Sequence, residues 1–150
     1  MKKPFLSIAL MLILGTGCAL AKDNGGISKS VETAFYQNFK TASNVQWQQK
    51  KNFCKVTFTL NDQVMFAYYD PSGRLLAVSK NISSENLPIN LQADLKNSYS
   101  NYWITDLFEN DAHDETSYFV TLENTDHQLI LQSNNARDWR IYQKIRKDAE

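Results

Sequence analysis

The apolar residues of this 150-residue chain change their spacing in a regular way along the sequence. Between residues 31 and 41 they recur every four residues, at Val31, Phe35 and Phe39, which predicts an amphipathic helix. Ser30 is a candidate N-cap for this helix. After the helix the spacing falls to two, which is the period of a strand with one buried face. The first half of the chain therefore predicts one helix followed by strands.

Four strands are expected to follow this first helix. Their alternating positions are Val45 and Trp47; Cys54, Val56, Phe58 and Leu60; Val64, Phe66 and Tyr68; and the run from Arg74 to Ser79. Asn61-Asp62 is typical of a tight hairpin turn. Asp70-Pro71-Ser72-Gly73 predicts a second turn, because Pro favours its second position and Gly accepts a positive φ.

The second half of the chain shows the same order of patterns. Leu87-Pro88 opens a predicted helix, whose apolar residues Leu91, Leu95 and Tyr99 are again spaced by four. Strand-like alternation then continues to Ile141, interrupted by a polar loop at residues 109–115.

This repeated order predicts an α+β fold. Two tandem helix-plus-four-strand repeats, about residues 30–82 and 86–146, are expected to form one antiparallel sheet with both helices packed on one face. Because one repeat has too little apolar surface to stand alone, we predict that residues 30–150 form a single domain.

The N-terminal residues 1–21 have the pattern of a secretory signal peptide. A positively charged start precedes an apolar run that is shorter than the ~20 residues of a membrane span, and cleavage is expected after Ala21. Residues 22–29 would then be a flexible leader. The segment ending at Cys18 also resembles a bacterial lipoprotein box, which makes Cys18 an alternative lipidation site. Either signal predicts an exported protein, periplasmic or secreted, or lipid-anchored to the cell envelope.

The charge balance narrows the possible partners. Lys and Arg together number 16, as do Asp and Glu. Removal of the signal takes Lys2 and Lys3 away, which leaves a slightly acidic mature chain. Such a chain has no electrostatic reason to bind nucleic acid. No stretch after the signal is long and apolar enough to be a transmembrane span.

Candidate catalytic and metal-binding groups are few. Asp111, His113, Asp114 and Glu115 cluster in one predicted loop, but they lack the spacing of a calcium loop, so a solvated hairpin loop is the favoured interpretation. Cys54 shares the register of a strand's apolar face, which favours a buried thiol over a reactive one. No nucleophile elbow or phosphate-binding glycine loop occurs. We therefore predict no enzyme activity, no cofactor and no metal.

Several motifs together resemble a known domain family. Phe35-x3-Phe39, Asn44-Val45-x-Trp47, the strand containing Phe58, and Tyr69-Asp70-x2-Gly73 are similar to the PepSY-like, or β-lactamase-inhibitor-like, domain of secreted Bacteroidetes-type proteins. The resemblance covers about residues 30–145 as two tandem repeats. It implies a small exported domain that binds a protein or peptide without catalysis.

Aromatic residues suggest where such a partner would bind. If Val64, Phe66 and Tyr68 face the helices, the uncovered sheet face carries the following residues: Met65, Tyr69, Trp103 and Tyr142. Aromatic anchors dominate many protein interfaces, although isolated aromatics on a sheet also simply support cross-strand pairs. The predicted function is an exported, non-enzymatic binding or inhibitor-like module. The alternative is an envelope-anchored structural protein or lipoprotein without a specific soluble ligand.

Overall fold

The computed structural model of the protein describes residues 26–147. The predicted signal peptide, its cleavage site at Ala21 and the lipidation site at Cys18 lie outside these residues and stay predictions. Most of the predicted leader also lies outside them.

The described chain contains two α-helices and eight strands. Helix α1 is Lys29–Asn38 and helix α2 is Ile89–Ser98, with a short 3-10 turn at Ser84–Asn86 before α2. The strands are β1 (Ser43–Gln49), β2 (Cys54–Leu60), β3 (Gln63–Tyr69), β4 (Leu75–Asn81), β5 (Trp103–Ala112), β6 (Glu115–Glu123), β7 (His127–Ser133) and β8 (Arg140–Arg146). All eight strands belong to one sheet in their sequence order, and every neighbouring pair is antiparallel.

The predicted fold class, an α+β fold of two tandem helix-plus-four-strand repeats, is wrong. The described residues are mostly β: a single eight-stranded antiparallel sheet with only two helices of 10 residues each. β4 pairs with β5 from Val78–Asp111 to Asn81–Phe108, so the sheet continues through the place where one repeat was expected to end. The spacing of apolar residues identifies local elements, but it does not show where hydrogen bonding between strands stops.

The two helices cover one face of this sheet, which we call the helix-covered face. Val31 and Phe35 of α1 are buried in a cluster with residues of β2 and β3, including Val56 and Tyr69. α2 contributes Leu91 and Leu95 to a second cluster over β5 to β7. α1 begins earlier than predicted, because the Ser28 hydroxyl, and not that of Ser30, accepts a hydrogen bond from the Val31 amide at 3.3 Å.

The opposite face of the sheet, which we call the helix-free face, also contains buried side chains. Phe108, Phe119 and Ile130 form a cluster that includes no helix residue, although each is at most 9% exposed. A flat sheet would leave such side chains open to solvent. Their burial indicates that the sheet curls towards this face, and the register shifts in β1, β4, β5 and β8 supply the local bends.

Two hairpin turns contain residues in the left-handed conformation. Asn61 and Asp62 have φ values of 50° and 63°, as a tight turn between β2 and β3 requires. The predicted polar loop at 109–115 does not exist, because β5 continues to Ala112 and only His113 and Asp114 form the turn. Within residues 26–147, no helix has the length and apolar character needed to cross a membrane.

Candidate protein-binding surface

The four residues predicted to form a binding face lie on two different faces. Tyr69 is fully buried on the helix-covered face, where its hydroxyl accepts a hydrogen bond from Asn38 Nδ2 at 3.1 Å. Burial raises the pKa of this phenol. Met65 packs against the same cluster beneath α1. Trp103 and Tyr142, by contrast, belong to the helix-free face and are 51% and 43% exposed. The structure therefore brings only Trp103 and Tyr142 to the uncovered side.

Strand β3 explains this separation. Its sequence is apolar at nearly every position, so either set of alternate residues could face the helices. In the structure, Ala67 pairs with Val56 and Tyr69 pairs with Cys54, all on the helix-covered face. Phe66 lies between Met65 and Ala67 in the strand, so its side chain points to the helix-free face. The assignment of the two faces from sequence was thus inverted for this strand.

A row of aromatic side chains crosses the helix-free face, and we call it the aromatic strip: Phe66, Phe108, Phe119 and Tyr142. Phe66 meets Phe108 with ring centroids 6.1 Å apart, and Phe119 meets Tyr142 at 6.0 Å, both edge to face. Phe108 and Phe119 are directly opposite each other in the β5–β6 register. Such pairs stabilise a sheet beyond the area that they bury. The strip forms a continuous apolar band from β3 to the edge strand β8.

Polar groups lie next to this strip in the middle of the sheet. Asn110 is 8% exposed, and its Nδ2 donates a hydrogen bond to Ser117 Oγ at 3.4 Å. Its Oδ1 has no partner within the described chain. A buried acceptor without a partner costs about 1–3 kcal/mol.

The two ends of the helix-free face differ in charge. At one end the Lys55 ammonium lies 4.6 Å from the centre of the Phe66 ring, and burial, followed by repulsion from Lys50, lowers the pKa of Lys55. At the other end Lys147 Nζ lies 2.7 Å from Glu123 Oε2 and 5.3 Å from the Trp103 ring centre.

Asp106 also lies on the Trp103 side of this face. The β5–β6 register places Asp106 opposite Thr121, next to the pair formed by Trp103 and Glu123. Burial, and then the charge of Glu123, raises the pKa of the Asp106 carboxyl. The helix-free face therefore has an apolar band between a basic end at Lys55 and a second end, near Trp103, that carries both acidic and basic side chains.

The candidate catalytic and metal-binding groups do not form a site in the described residues. Cys54 is buried, and burial raises the pKa of its thiol, which opposes formation of the reactive thiolate. Asp111 accepts a hydrogen bond from the Thr116 hydroxyl at 2.6 Å across the hairpin. Among residues 26–147, no three His, Cys, Asp or Glu side chains converge as metal ligands would.

An open groove of about 410 Å³ lies on the other side of the sheet, beside the C-terminal end of α2. Its lining includes Leu95, Ile104, and Tyr99 and Tyr102, whose rings meet edge to face with centroids 6.2 Å apart. The groove contains no residue of the aromatic strip. It is separate from the helix-free face.

Comparison with solved structures places this fold among proteins of Bacteroides. A BLIP-like protein from Bacteroides fragilis superposes with a TM-score of 0.69 at 18% identity, covering 82% of this chain and 89% of that protein. A DUF2874 family protein from Bacteroides uniformis has a TM-score of 0.69 at 12% identity, covering 79% and 88%. A Bacteroides eggerthii protein, whose name assigns it provisionally to the periplasm, has a TM-score of 0.70 at 12% identity, covering 81% and 90%.

These likenesses concern the fold alone. No family model matches the chain, and no curated protein matches it. Membership of the PepSY-like family and the two tandem repeats are not confirmed. What the comparisons show is that the chain has the fold of BLIP-like and DUF2874 proteins.

Proposed function

We propose that this chain is an exported, non-enzymatic module that binds a protein or peptide on the helix-free face of its sheet. The observation that supports it is that Trp103 and Tyr142 are 51% and 43% exposed on a face that no helix covers, beside the buried Phe108 and Phe119 rings of the aromatic strip. Trp and Tyr are the residues most enriched in interface hot spots. Lys55 and Lys147, at the two ends of this face, would belong to the polar rim of such a surface.

The fold likeness supports the same proposal. One similar structure is named BLIP-like, which is consistent with an inhibitor-like role for this chain. Export rests on the signal sequence in residues 1–21, and the provisional periplasmic name of the Bacteroides eggerthii protein agrees with it. A non-enzymatic role is consistent with the buried thiol of Cys54 and with similar structures whose names denote no enzyme.

The test is partner capture from an envelope extract with residues 22–150 as bait. A Trp103→Ala/Tyr142→Ala variant removes the two exposed aromatics of the helix-free face. The matched control, Tyr36→Ala/Ile89→Ala, removes two apolar side chains that are 47% and 74% exposed on the helices. A cooperative thermal unfolding transition, well above the temperature of the capture, establishes that each of the three baits is folded.

We expect one or a few proteins that the wild type and the control capture and that the Trp103→Ala/Tyr142→Ala bait loses. Loss with the control bait as well would move the interface to the helices. Capture of nothing by a folded wild-type bait would contradict the proposal. It would favour the alternative of an envelope-anchored structural protein, which an acyl group on Cys18, detected by mass spectrometry, would support.

A further inference from the structure

Strand β8 is an edge of the sheet whose outer side is open. All seven of its residues, Arg140–Arg146, are exposed. Its backbone pairs with β7 on one side, and within residues 26–147 no other backbone group bonds to it on the other side. An exposed edge of this length presents unpaired N–H and C=O groups, which are a template for a further strand.

Both ends of β8 are fixed in place. Just before the strand, the buried Trp139 donates a hydrogen bond from Nε1 to the Leu91 carbonyl of α2 at 3.0 Å. Just after it, the Lys147 amide donates to the Asp126 carbonyl at 2.8 Å. The edge is therefore an ordered template, so a strand that pairs with it does not have to order β8 first.

The charge of β8 restricts what can pair with it. Residues 139–147 contain four basic residues and no acidic one. Arg140 is paired with Asp138 and Lys147 with Glu123, whereas Lys144 and Arg146 form no ion pair within the described chain.

A second copy of β8 is a poor partner for the same reason. An antiparallel copy centred on Gln143 would place Arg140 opposite Arg146, and like charges directly opposite destabilise a strand pair. The basic residues thus act against self-association while leaving the edge open to a strand of opposite charge.

The register defines the side chains that such a strand needs. Lys144 and Arg146 pair with Leu129 and His127, so both project to the helix-covered face. Ile145, between them, pairs with Gln128 and projects to the helix-free face, where it is 41% exposed.

We propose that β8 binds an extended acidic segment of a partner protein as a ninth strand of the sheet. Acidic side chains at alternate positions would lie opposite Lys144 and Arg146, and apolar side chains between them would cover Ile145. This site adjoins the aromatic strip, since Tyr142 belongs to both, but it uses the backbone edge of β8 and the Lys144 and Arg146 side chains. It therefore adds a second contact to the proposed binding function and does not depend on it.

The test uses a short capped peptide of alternating glutamate and valine as the probe. Binding to residues 22–150 is followed by fluorescence anisotropy, and amide hydrogen exchange locates the site. Three peptides of equal length serve as comparisons: alternating lysine and valine, a block of glutamates followed by a block of valines, and the alternating acidic peptide with an N-methyl group at every amide. These remove the charge match, the alternation and the backbone donors in turn.

On the protein side, Lys144→Glu/Arg146→Glu inverts the two unpaired charges of β8. Lys50→Glu/Lys51→Glu makes the same change in net charge at two exposed positions between β1 and β2. We expect the β8 variant to weaken peptide binding about tenfold, because an exposed ion pair changes affinity a few-fold and two are inverted. The control variant should bind like the wild type.

Protection of the β8 amides by the acidic peptide alone, with loss in the β8 variant, is the expected result. Three results with the peptides would overturn the proposal. They are no binding to the wild type, equal binding of the lysine or N-methyl peptide, and protection that falls on other strands. Equal weakening by both protein variants would show attraction to overall charge and would also overturn it.

Discussion

Replacing Gly73 by Ala tests how the turn between β3 and β4 docks on helix α1. Gly73 has a φ of 91°, a conformation that residues with a Cβ rarely adopt. A Cβ built there would lie 2.7 Å from the carbonyl oxygen of Ser30 and 2.9 Å from its carbon. These are backbone atoms of α1, so they cannot move away as the end of a flexible side chain could. The same turn is joined to α1 by the Ser28 hydroxyl, which donates to the Pro71 carbonyl at 3.2 Å.

Two costs are expected to add in Gly73→Ala. A left-handed conformation costs an L-residue about 1–2 kcal/mol. Forcing an extra methyl group into a packed contact costs about 1–3 kcal/mol. We therefore expect a loss of about 3 kcal/mol in the free energy of unfolding. For a domain of this size, that corresponds to a decrease in melting temperature of about 10 °C.

Gly26 provides a matched control. Its φ is 95°, close to that of Gly73, but an added Cβ would meet no atom within 4 Å. Gly26→Ala should therefore lose only the backbone cost of about 1 kcal/mol. Urea unfolding of both variants, followed by tryptophan fluorescence, gives the two free energies. If Gly73→Ala cost no more than Gly26→Ala, the close approach of the turn to α1 would be refuted.

Three further predictions concern single side chains. The hydrogen bond from Ser72, followed by the backbone amide of Arg74, lowers the pKa of the Asp70 carboxyl. The ionised Asp70 carboxylate therefore stabilises the fold at a pH above the ordinary pKa of 3.8, and this stabilisation is lost as the pH falls through the lowered pKa. Urea unfolding should show that Asp70→Asn is less stable than the wild type at neutral pH and equally stable in strong acid. Trp139→Phe removes the hydrogen bond to the Leu91 carbonyl and should lower the free energy of unfolding by about 1–3 kcal/mol in the same assay, whereas no change would show that water replaces it. The Cys54 thiol should react with a thiol reagent only after denaturation, and rapid labelling of the native protein would contradict its burial.

The helices and the main turns could be predicted from the sequence because their signals are local. Apolar residues at every fourth position predict both helices. The turn at Asp70-Pro71-Ser72-Gly73 is predicted because Pro and Gly have strong backbone preferences of their own. One antiparallel sheet was expected, but the strand pairing that joins its two halves could not be predicted in this way. The pairing of β4 with β5 joins strands that are separated by α2, and no local pattern encodes it.

The faces of the strands were harder to assign for a different reason. β3 has apolar residues on both sides, since Phe66 lies in the aromatic strip while Met65 and Tyr69 lie under α1. Alternation identifies a face only when one side of a strand is polar. In a sheet that buries aromatic side chains on both faces, the sequence alone therefore does not show which face is free of helices.

Register shifts decide which residues meet on the candidate surface. Trp103 and Phe108 are five positions apart, so regular alternation would place them on opposite faces. The structure has a register shift between Ile104 and Asp106, where Thr105 is the extra residue. Because of this bulge, Ile104 and Leu107 both face the helices, and Trp103 and Phe108 both face away from them. A second shift makes Tyr142 the extra residue in β8, which allows its ring to meet Phe119. Bulges bend a strand and redirect its side chains. The two exposed aromatics of the proposed binding surface are thus both placed by bulges. Deletion of Thr105 should keep Trp103 on the face of the aromatic strip, because Trp103 and Phe108 would then alternate regularly without a bulge.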